Sequence, residues 1–229
     1  MKTARFGAPT ALIRDRFILA ISGCTSKSSG ALTKHCEAYD TQTNHWFPIQ
    51  DLPVGVTGTS AVVMNQRFVY LMPGANPECR KGDSLIIHSL DTGSSSIFTT
   101  GDKNDKSAGW PIGRQMWQQL QVSNPAFVQT QPTAGLQSAD NELILFGGET
   151  TKSFKFDPRE VNASTKQAMV NPTQGQLSKR ARFAFKSDFV GRFFREVAYM
   201  IDANEMQLHV YETTQQSWIA SPLSQVGIQ

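Results

Sequence analysis

The stretch "AYDTQTNHW" at residues 38–46 has a near copy, "VYETTQQSW", at residues 210–218. Each copy contains a tyrosine, an acidic residue, a threonine and, six residues after the acid, a tryptophan. A motif that returns at a distance indicates an internal repeat, and a repeat determines the architecture of the chain that carries it. Further copies are therefore expected between these two.

The acidic residue of this motif marks four units, at Asp40, Asp91, Asp157 and Glu212. The intervals are 51, 66 and 55 residues (40 to 91, 91 to 157 and 157 to 212). Upstream of each acid an apolar run ends in small residues. The four runs are "RFILAISG" at 16–23, "RFVYLMPG" at 67–74, "ELILFGGE" at 142–149 and "EVAYMIDA" at 196–203.

Each unit predicts four short antiparallel strands in about 50 residues. A further segment with strand character precedes each apolar run, and turn residues such as Asn65-Gln66 separate the two. The apolar strand is expected near the middle of its sheet, buried on both faces. One such sheet cannot bury both of its faces, so we expect the copies to stack around an axis as a β-propeller. The preceding segments are 8–15, 58–65, 133–140 and 180–188.

These units resemble the kelch repeat, in which an apolar strand ending in Gly-Gly is followed by a tyrosine and then a tryptophan. The resemblance runs from about Pro9 to Leu223. In the second unit Leu90 and Ile97 stand at the aromatic positions, and in the third Ala163 stands at the tryptophan position. The residues that carry the resemblance are Gly23, Tyr39, Trp46, Gly74, Gly147, Gly148, Phe156, Tyr211 and Trp218.

The resemblance implies an all-β fold: a β-propeller with about four kelch-like four-stranded blades in a single domain, residues 1–229. The glycines would let neighbouring blades approach closely, and the tryptophans would pack between them. The four blades either close as a small ring or form an incomplete ring that another copy or another chain completes. The expected repeats are 8–53, 54–100, 133–170 and 180–223, with an insertion at 101–132.

The long interval after Asp91 allows two interpretations. In the favoured one, "SSSIFTT" at 94–100 is the closing strand of the second unit and the following residues are a surface excursion. In the other, Trp117 belongs to the closing strand and follows a long polar loop at 99–113.

Composition narrows the class of protein. The net charge is +3 and the basic residues are scattered, so a nucleic-acid partner is not expected. The three cysteines form no disulfide framework and suit a reducing compartment. No apolar stretch approaches the about 20 residues of a membrane span. We therefore expect a protein without a membrane span, in the cytoplasm or on the cytoskeleton.

No catalytic residue, metal site or cofactor is predicted. Cys24, His35 and Cys36 lie close in sequence but do not have standard zinc-ligand spacing. His88 and His209 each stand three residues before a repeat acid, which favours a shared packing or surface role.

The function implied by the resemblance is a non-catalytic protein-interaction or scaffold module that presents rim loops to a protein partner. The alternatives are a carbohydrate-binding module or propeller enzyme, and a ubiquitin-ligase substrate receptor. Trp110, Arg114 and Trp117 are the candidate anchors for a partner, since tryptophan and arginine often dominate interface energy. The loops that stand out are 24–36, 75–84, 99–116 and 158–180.

Overall fold

The strands of the chain form four antiparallel sheets in the part that the structure describes. The structure is a computed structural model and describes residues 1–74, 76–93, 117–138, 141–150, 152–172, 189–194, 197–202, 207–212 and 217–222. The first sheet contains β1 (Thr10–Ile13), β2 (Phe17–Ile21), β3 (Cys36–Asp40) and β4 (His45–Ile49). The second contains β5 (Ala61–Met64), β6 (Phe68–Leu71), β7 (Arg80–Lys81), β8 (Ser84–Asp91) and β9 (Gln118–Val122).

The third and fourth sheets continue this pattern. The third contains β10 (Ala134–Gln137), β11 (Leu143–Phe146), β12 (Phe154–Phe156) and β13 (Val170–Pro172). The fourth contains β14 (Phe189–Phe194), β15 (Val197–Asp202), β16 (Gln207–Glu212) and β17 (Ser217–Pro222). Helix α1 (Pro125–Thr130) joins the second sheet to the third, and 3-10 turns lie at Pro77–Cys79 and Pro158–Glu160.

Strand order and register repeat from sheet to sheet. Each sheet is a meander of four strands in chain order, and the second also carries the two-residue β7 beside β8. Asp40 pairs with Phe17, Asp91 with Phe68, and Glu212 with Val197. In the third sheet Phe156 pairs with Leu143, so Asp157 is the next residue in the same register. The all-β fold and the four-stranded units expected from the repeat are confirmed.

Local sequence accounts for the tight hairpins. Arg14 and Asp15, between β1 and β2, and Asn65 and Gln66, between β5 and β6, all have φ between +50° and +54°. Two successive positive φ values are the mark of a type I′ turn, whose twist matches that of the flanking strands. The amide of Asn65 also donates to Oε1 of Gln137 in the third sheet, at 3.2 Å.

Two hydrophobic clusters lie between successive sheets. We call the face of a sheet that packs on the following sheet its leading face, and the opposite one its trailing face. Phe17 and Leu19, on the leading face of the first sheet, share a cluster with Val69 and Leu71, on the trailing face of the second. The leading face of the second sheet packs in the same way on the trailing face of the third, through Tyr70, Leu85, Leu143 and Phe156 among others. The first three sheets therefore pack head to tail.

The middle strands are buried largely as expected. Every residue of β11 is buried, and so is every residue of β6 apart from Phe68. In β2 the exception is Ile18, on the trailing face of the first sheet. Its register counterparts in the second and third sheets, Val69 and Leu143, are fully buried beneath the sheet before them, whereas no described sheet covers Ile18.

Three strand assignments made from sequence need correction. The closing strand of the second sheet is β9, which pairs with β8, and not 94–100. The expected boundary at residue 100 therefore moves to Val122, while 94–116 lie outside the described residues. The third sheet closes with β13, so Ala163 does not stand opposite Phe156. The first strand of the fourth sheet is β14, later than the expected 180–188. Each of these three strands follows a connecting segment, and the hydrophobic pattern of the sequence does not predict the length of that segment.

Candidate functional site

The last glycine of each of the first three apolar runs lies where neighbouring segments meet. Gly23 N donates to Val56 O at 2.9 Å, and Val56 lies in the segment that leads into the second sheet. Gly74 N donates to Pro132 O at 2.9 Å, just before the third sheet. Both glycines have positive φ, +102° and +54°. These amides therefore join the first sheet to the second and the second to the third, as the repeat signature implies.

Gly148 is the most constrained of these positions. Its φ is +88°, and an added Cβ would lie 2.2 Å from Thr130 O and 2.3 Å from Gln131 O. Since both neighbours are backbone oxygens, only glycine fits without a shift of the chain. Gly147 also has positive φ, 79°. The double glycine thus has a structural role.

The aromatic pair of the repeat is a cross-strand pair. Tyr39 lies opposite Trp46, with ring centroids 5.1 Å apart. Tyr211 lies opposite Trp218 in the backbone register of the fourth sheet. In the third sheet Val170 lies opposite Phe156.

In the second sheet the residue next in register to the Ser89–Gln118 pair is Trp117, opposite Leu90. Ile97, which sequence spacing placed opposite Leu90, lies outside the described residues. The second interpretation of the long interval, with Trp117 at the closing strand, is therefore the one that the register supports, and the favoured assignment of 94–100 is wrong.

Trp117 is a core residue rather than an exposed anchor. Its side chain is 6% exposed and belongs to the cluster between the first and second sheets. Its Nε1 donates to Gln50 O at 3.1 Å, which satisfies the indole. The expectation that Trp117 contacts a partner is therefore corrected. Trp110 and Arg114 lie outside the described residues.

A second repeated feature, which sequence analysis missed, is an arginine clamp on the repeat acid. Arg16 donates from Nε and Nη2 to the two carboxylate oxygens of Asp40 at 2.7 and 2.6 Å. Arg67 makes the same bidentate contact with Asp91, at 2.6 and 2.7 Å. Each guanidinium also lies 4.8 Å from the ring of the phenylalanine that follows it. The shared "RF" dipeptide at 16–17 and 67–68 was the available signal.

The third sheet lacks this clamp. Asn141 stands where Arg16 and Arg67 stand in the first two units, and Asp157 instead pairs with Arg159, two residues further on. The Arg159 contacts are bidentate as well, with Nη2 at 2.7 Å from Oδ2. The acid keeps its place in the register while its partner changes.

The loops after β2 and after β6 lie at one end of the first two sheets. Residues 56–58 run between them and bond to both. Ser22 Oγ accepts from Val56 N at 2.7 Å, and Asn76 Oδ1 accepts from Thr57 N at 3.3 Å. We call this end, formed by residues 24–35 and 76–83, the loop rim.

The loop rim is polar and exposed. In the first loop the exposed residues include Lys27, Lys34 and His35, and His35 Nδ1 lies 2.9 Å from Asp51 Oδ2. In the second loop, Arg80 and Lys81 pair with the start of β8 and form a small hairpin whose residues 80–83 are exposed. The rim thus offers charged groups of both signs on a framework held by backbone hydrogen bonds.

Three titratable side chains near this framework are buried, and burial shifts the pKa of each towards its neutral form. His88 is fully buried on β8, neither ring nitrogen has a hydrogen-bond partner, and burial lowers its pKa to about 4. Burial raises the thiol pKa of Cys36 to about 11 and that of Cys79 to about 12. His88 and His209 hold the same register position, opposite Leu71 and Met200. The burial of His88 agrees with the packing role expected for this position.

Within the described ranges, histidine, cysteine and acidic side chains form no group of three that could hold a metal ion. Over the same residues, no helix has both the length and the apolar character needed to cross a membrane. The chain matches no protein-family model, and it matches no curated protein either. The kelch resemblance therefore rests on the residues and on the repeated register.

Proposed function

We propose that the chain is a kelch-like β-propeller module that binds a protein partner through its loop rim, within a larger cytoskeletal or other assembly. The observation that carries the proposal is the repeated joint between sheets. The same faces pack, the same register recurs, and the second glycine bonds to the next segment in the first two units. Such packing suits a rigid frame that presents loops.

The loop rim is the surface that this frame presents. Its exposed charges, Lys27 and Lys34 in one loop and Arg80, Lys81 and Asp83 in the other, come from two neighbouring sheets. Charged groups at an interface set orientation and association rate more than raw affinity. A folded protein with a mixed-charge surface is therefore the partner that this rim favours.

Affinity capture from cell extract with quantitative mass spectrometry tests this proposal. The rim variant carries Lys27→Glu and Arg80→Glu, which reverse one exposed charge on each loop. The control carries Lys2→Glu and Lys152→Glu, an equal change of charge at two exposed lysines outside the loop rim and outside the other candidate loops. The wild type and the control should capture the same proteins, and the rim variant should lose them by at least about tenfold, near 1.4 kcal/mol.

Two outcomes would contradict the rim as a binding surface. One is that no protein is captured in a defined ratio to the bait. The other is that the rim variant and the control behave alike. Specific binding on a glycan array, lost in the rim variant, would instead favour the carbohydrate-binding alternative.

A further inference from the structure

The trailing face of the first sheet is apolar and uncovered. Leu12 is 47% exposed and Ile18 is 37% exposed. Val69 and Leu143, which hold the register position of Ile18 in the next two sheets, are both fully buried beneath the sheet before them. The first sheet therefore has apolar residues at the interface positions, but no described sheet covers them.

The aromatic pair shows the same difference. Tyr39 and Trp46 lie on this trailing face and are half-buried. Leu90 and Trp117, at the equivalent positions of the second sheet, are buried against the first. A partner that covered this aromatic surface would stabilise the contact, because removal of apolar surface from water is favourable.

Part of this face is already occupied by the chain itself. Glu37 is buried there, with its Oε2 at 2.6 Å from Arg5 Nη2 and its Oε1 at 2.7 Å from Lys2 N. The open part is the half that lies towards the β1–β2 turn. Its members are Leu12, Ile18, Tyr39 and Trp46.

The fourth sheet offers the complementary face. Leu208 and Val210 alternate on β16 at the register positions of Cys36 and Ala38, on a leading face. Cys36 and Ala38 are buried beneath the second sheet, whereas Leu208 and Val210 are only partly buried. Ile219, which pairs with Val210, is 45% exposed.

We propose that the trailing face of the first sheet binds the leading face of the fourth sheet of a second copy of this chain. The two described interfaces already join a leading face to a trailing face, so this contact continues them. Leu12 and Ile18 stay exposed although the same chain carries a fourth sheet, which favours a second copy over self-closure. The inference rests on the propeller packing proposed above and is independent of the rim's partner.

The stoichiometry follows from the geometry. A head-to-tail contact between unlike faces closes into a ring when the rotation allows it. The four sheets that the structure describes, taken from each of two chains, would make eight, within the range of about four to eight blades known for propellers. Three chains would exceed that range. A closed dimer with two identical contacts is therefore expected.

Sedimentation equilibrium on the purified chain tests the proposal, with a protomer mass of 25.3 kDa as reference. The wild type should give twice this mass. Ile18→Lys and Ile219→Lys should each weaken dimerisation by at least about tenfold, because each places a charge in one face of the contact. Both side chains are exposed in the protomer, so circular dichroism should be unchanged. Met169→Lys, at another exposed apolar side chain (62%), should stay dimeric.

Mixing the two variants provides a sharper readout. Ile18→Lys retains an intact fourth sheet and Ile219→Lys an intact first sheet, so a one-to-one mixture should regain dimer mass through one undamaged contact. A wild type that stays monomeric at all concentrations would overturn the proposal, and so would a dimer that both substitutions leave intact. If the wild-type chain is a monomer and the rim variant still loses the captured partner, the dimer is ruled out while the proposed function stands.

Discussion

Arg16 and Arg67 make the same bidentate contact with the repeat acid, but the two ion pairs differ in solvent exposure. At the scale of single residues they therefore allow a direct comparison of a buried with an exposed ion pair. The side chains of Arg16 and Asp40 are 23% and 6% exposed, whereas those of Arg67 and Asp91 are 44% and 41% exposed. Removal of one partner from a buried pair leaves the other charge unsatisfied, whereas exposed pairs contribute little.

Arg16→Met should therefore lower the free energy of unfolding by about 1–3 kcal/mol, and Arg67→Met by less than about 1 kcal/mol. Urea denaturation of both variants at pH 7 measures the difference. The hydrogen bond from Arg16 lowers the pKa of Asp40 to about 2, below its unfolded value. The contribution of this pair should accordingly be complete above about pH 4 and be lost as the pH falls towards 2. Equal losses in the two variants would contradict the role of burial.

His88 gives stability a pH dependence of its own. Its folded pKa of about 4 lies below the unfolded value of about 6.5, so the unfolded state takes up the proton first as the pH falls. The free energy of unfolding should be unaffected by the titration of His88 above about pH 6.5. Between about pH 6.5 and 4 it should fall by on the order of 3 kcal/mol, because the unfolded state binds the proton more tightly.

Replacement of His88 by leucine tests this dependence, because leucine fills a similar volume and does not titrate. The difference in unfolding free energy between His88→Leu and wild type, measured by urea titration from pH 4 to 8, should grow in favour of the variant as the pH falls. A difference that is constant across this range would show that His88 does not remain neutral in the folded chain.

At the scale of elements, the strand β9 shows how a distant segment completes a sheet. Trp117 precedes β9 and fills the space between the first two sheets, whereas Trp46, its counterpart on β4, is half-exposed. Trp117→Ala should cost about 3–5 kcal/mol through the cavity and the lost bond to Gln50 O. Trp46→Ala should cost clearly less.

Thermal and urea unfolding of these two variants in the monomeric Ile18→Lys background would separate packing within the chain from contacts between copies. The substitutions remove the same chemical group, so the difference between them reports burial. A Trp46→Ala variant as unstable as Trp117→Ala would contradict an uncovered first sheet in the protomer.

At the scale of the whole molecule, the three cysteines report on the integrity of the packing. Cys24, Cys36 and Cys79 are all buried and free. Burial raises the thiol pKa of Cys36 and Cys79, so few thiolates form near pH 8. Labelling with a disulfide reagent should be slow in the folded protein and reach three equivalents in denaturant. Fast native labelling of two or more thiols would contradict a closely packed joint between the first and second sheets.

Several features were predictable because they are local. The apolar runs around Phe17, Phe68 and Leu143 became strands, since their residues suit a pleated surface buried on both sides. The turn at Asn65-Gln66 follows from the tolerance of asparagine for positive φ. The repeat acid kept its register in all four units because register is set by the same alternation.

The closing strands were not predictable in the same way. Trp117 lies 27 residues after Leu90 in the sequence (90 to 117), yet it stands next to Leu90 in the sheet. The entropy of loop closure grows only slowly with loop length, so spacing constrains such a pairing weakly. The arginine clamps were missed because they join residues 24 positions apart that only the sheet brings together.

The sequence alone determined the repeat of four-stranded units and the small residues at their joints, because alternation and backbone freedom are local properties. The tertiary structure decided which tryptophan is buried, which loops share a rim and which faces stay open, because each depends on which sheet lies beside which. The stretch "AYDTQTNHW" shows both contributions. Its sequence predicted a pair of strands, and the structure showed that Tyr39 and Trp46 on these strands are only half-buried, which is why they belong to the proposed contact.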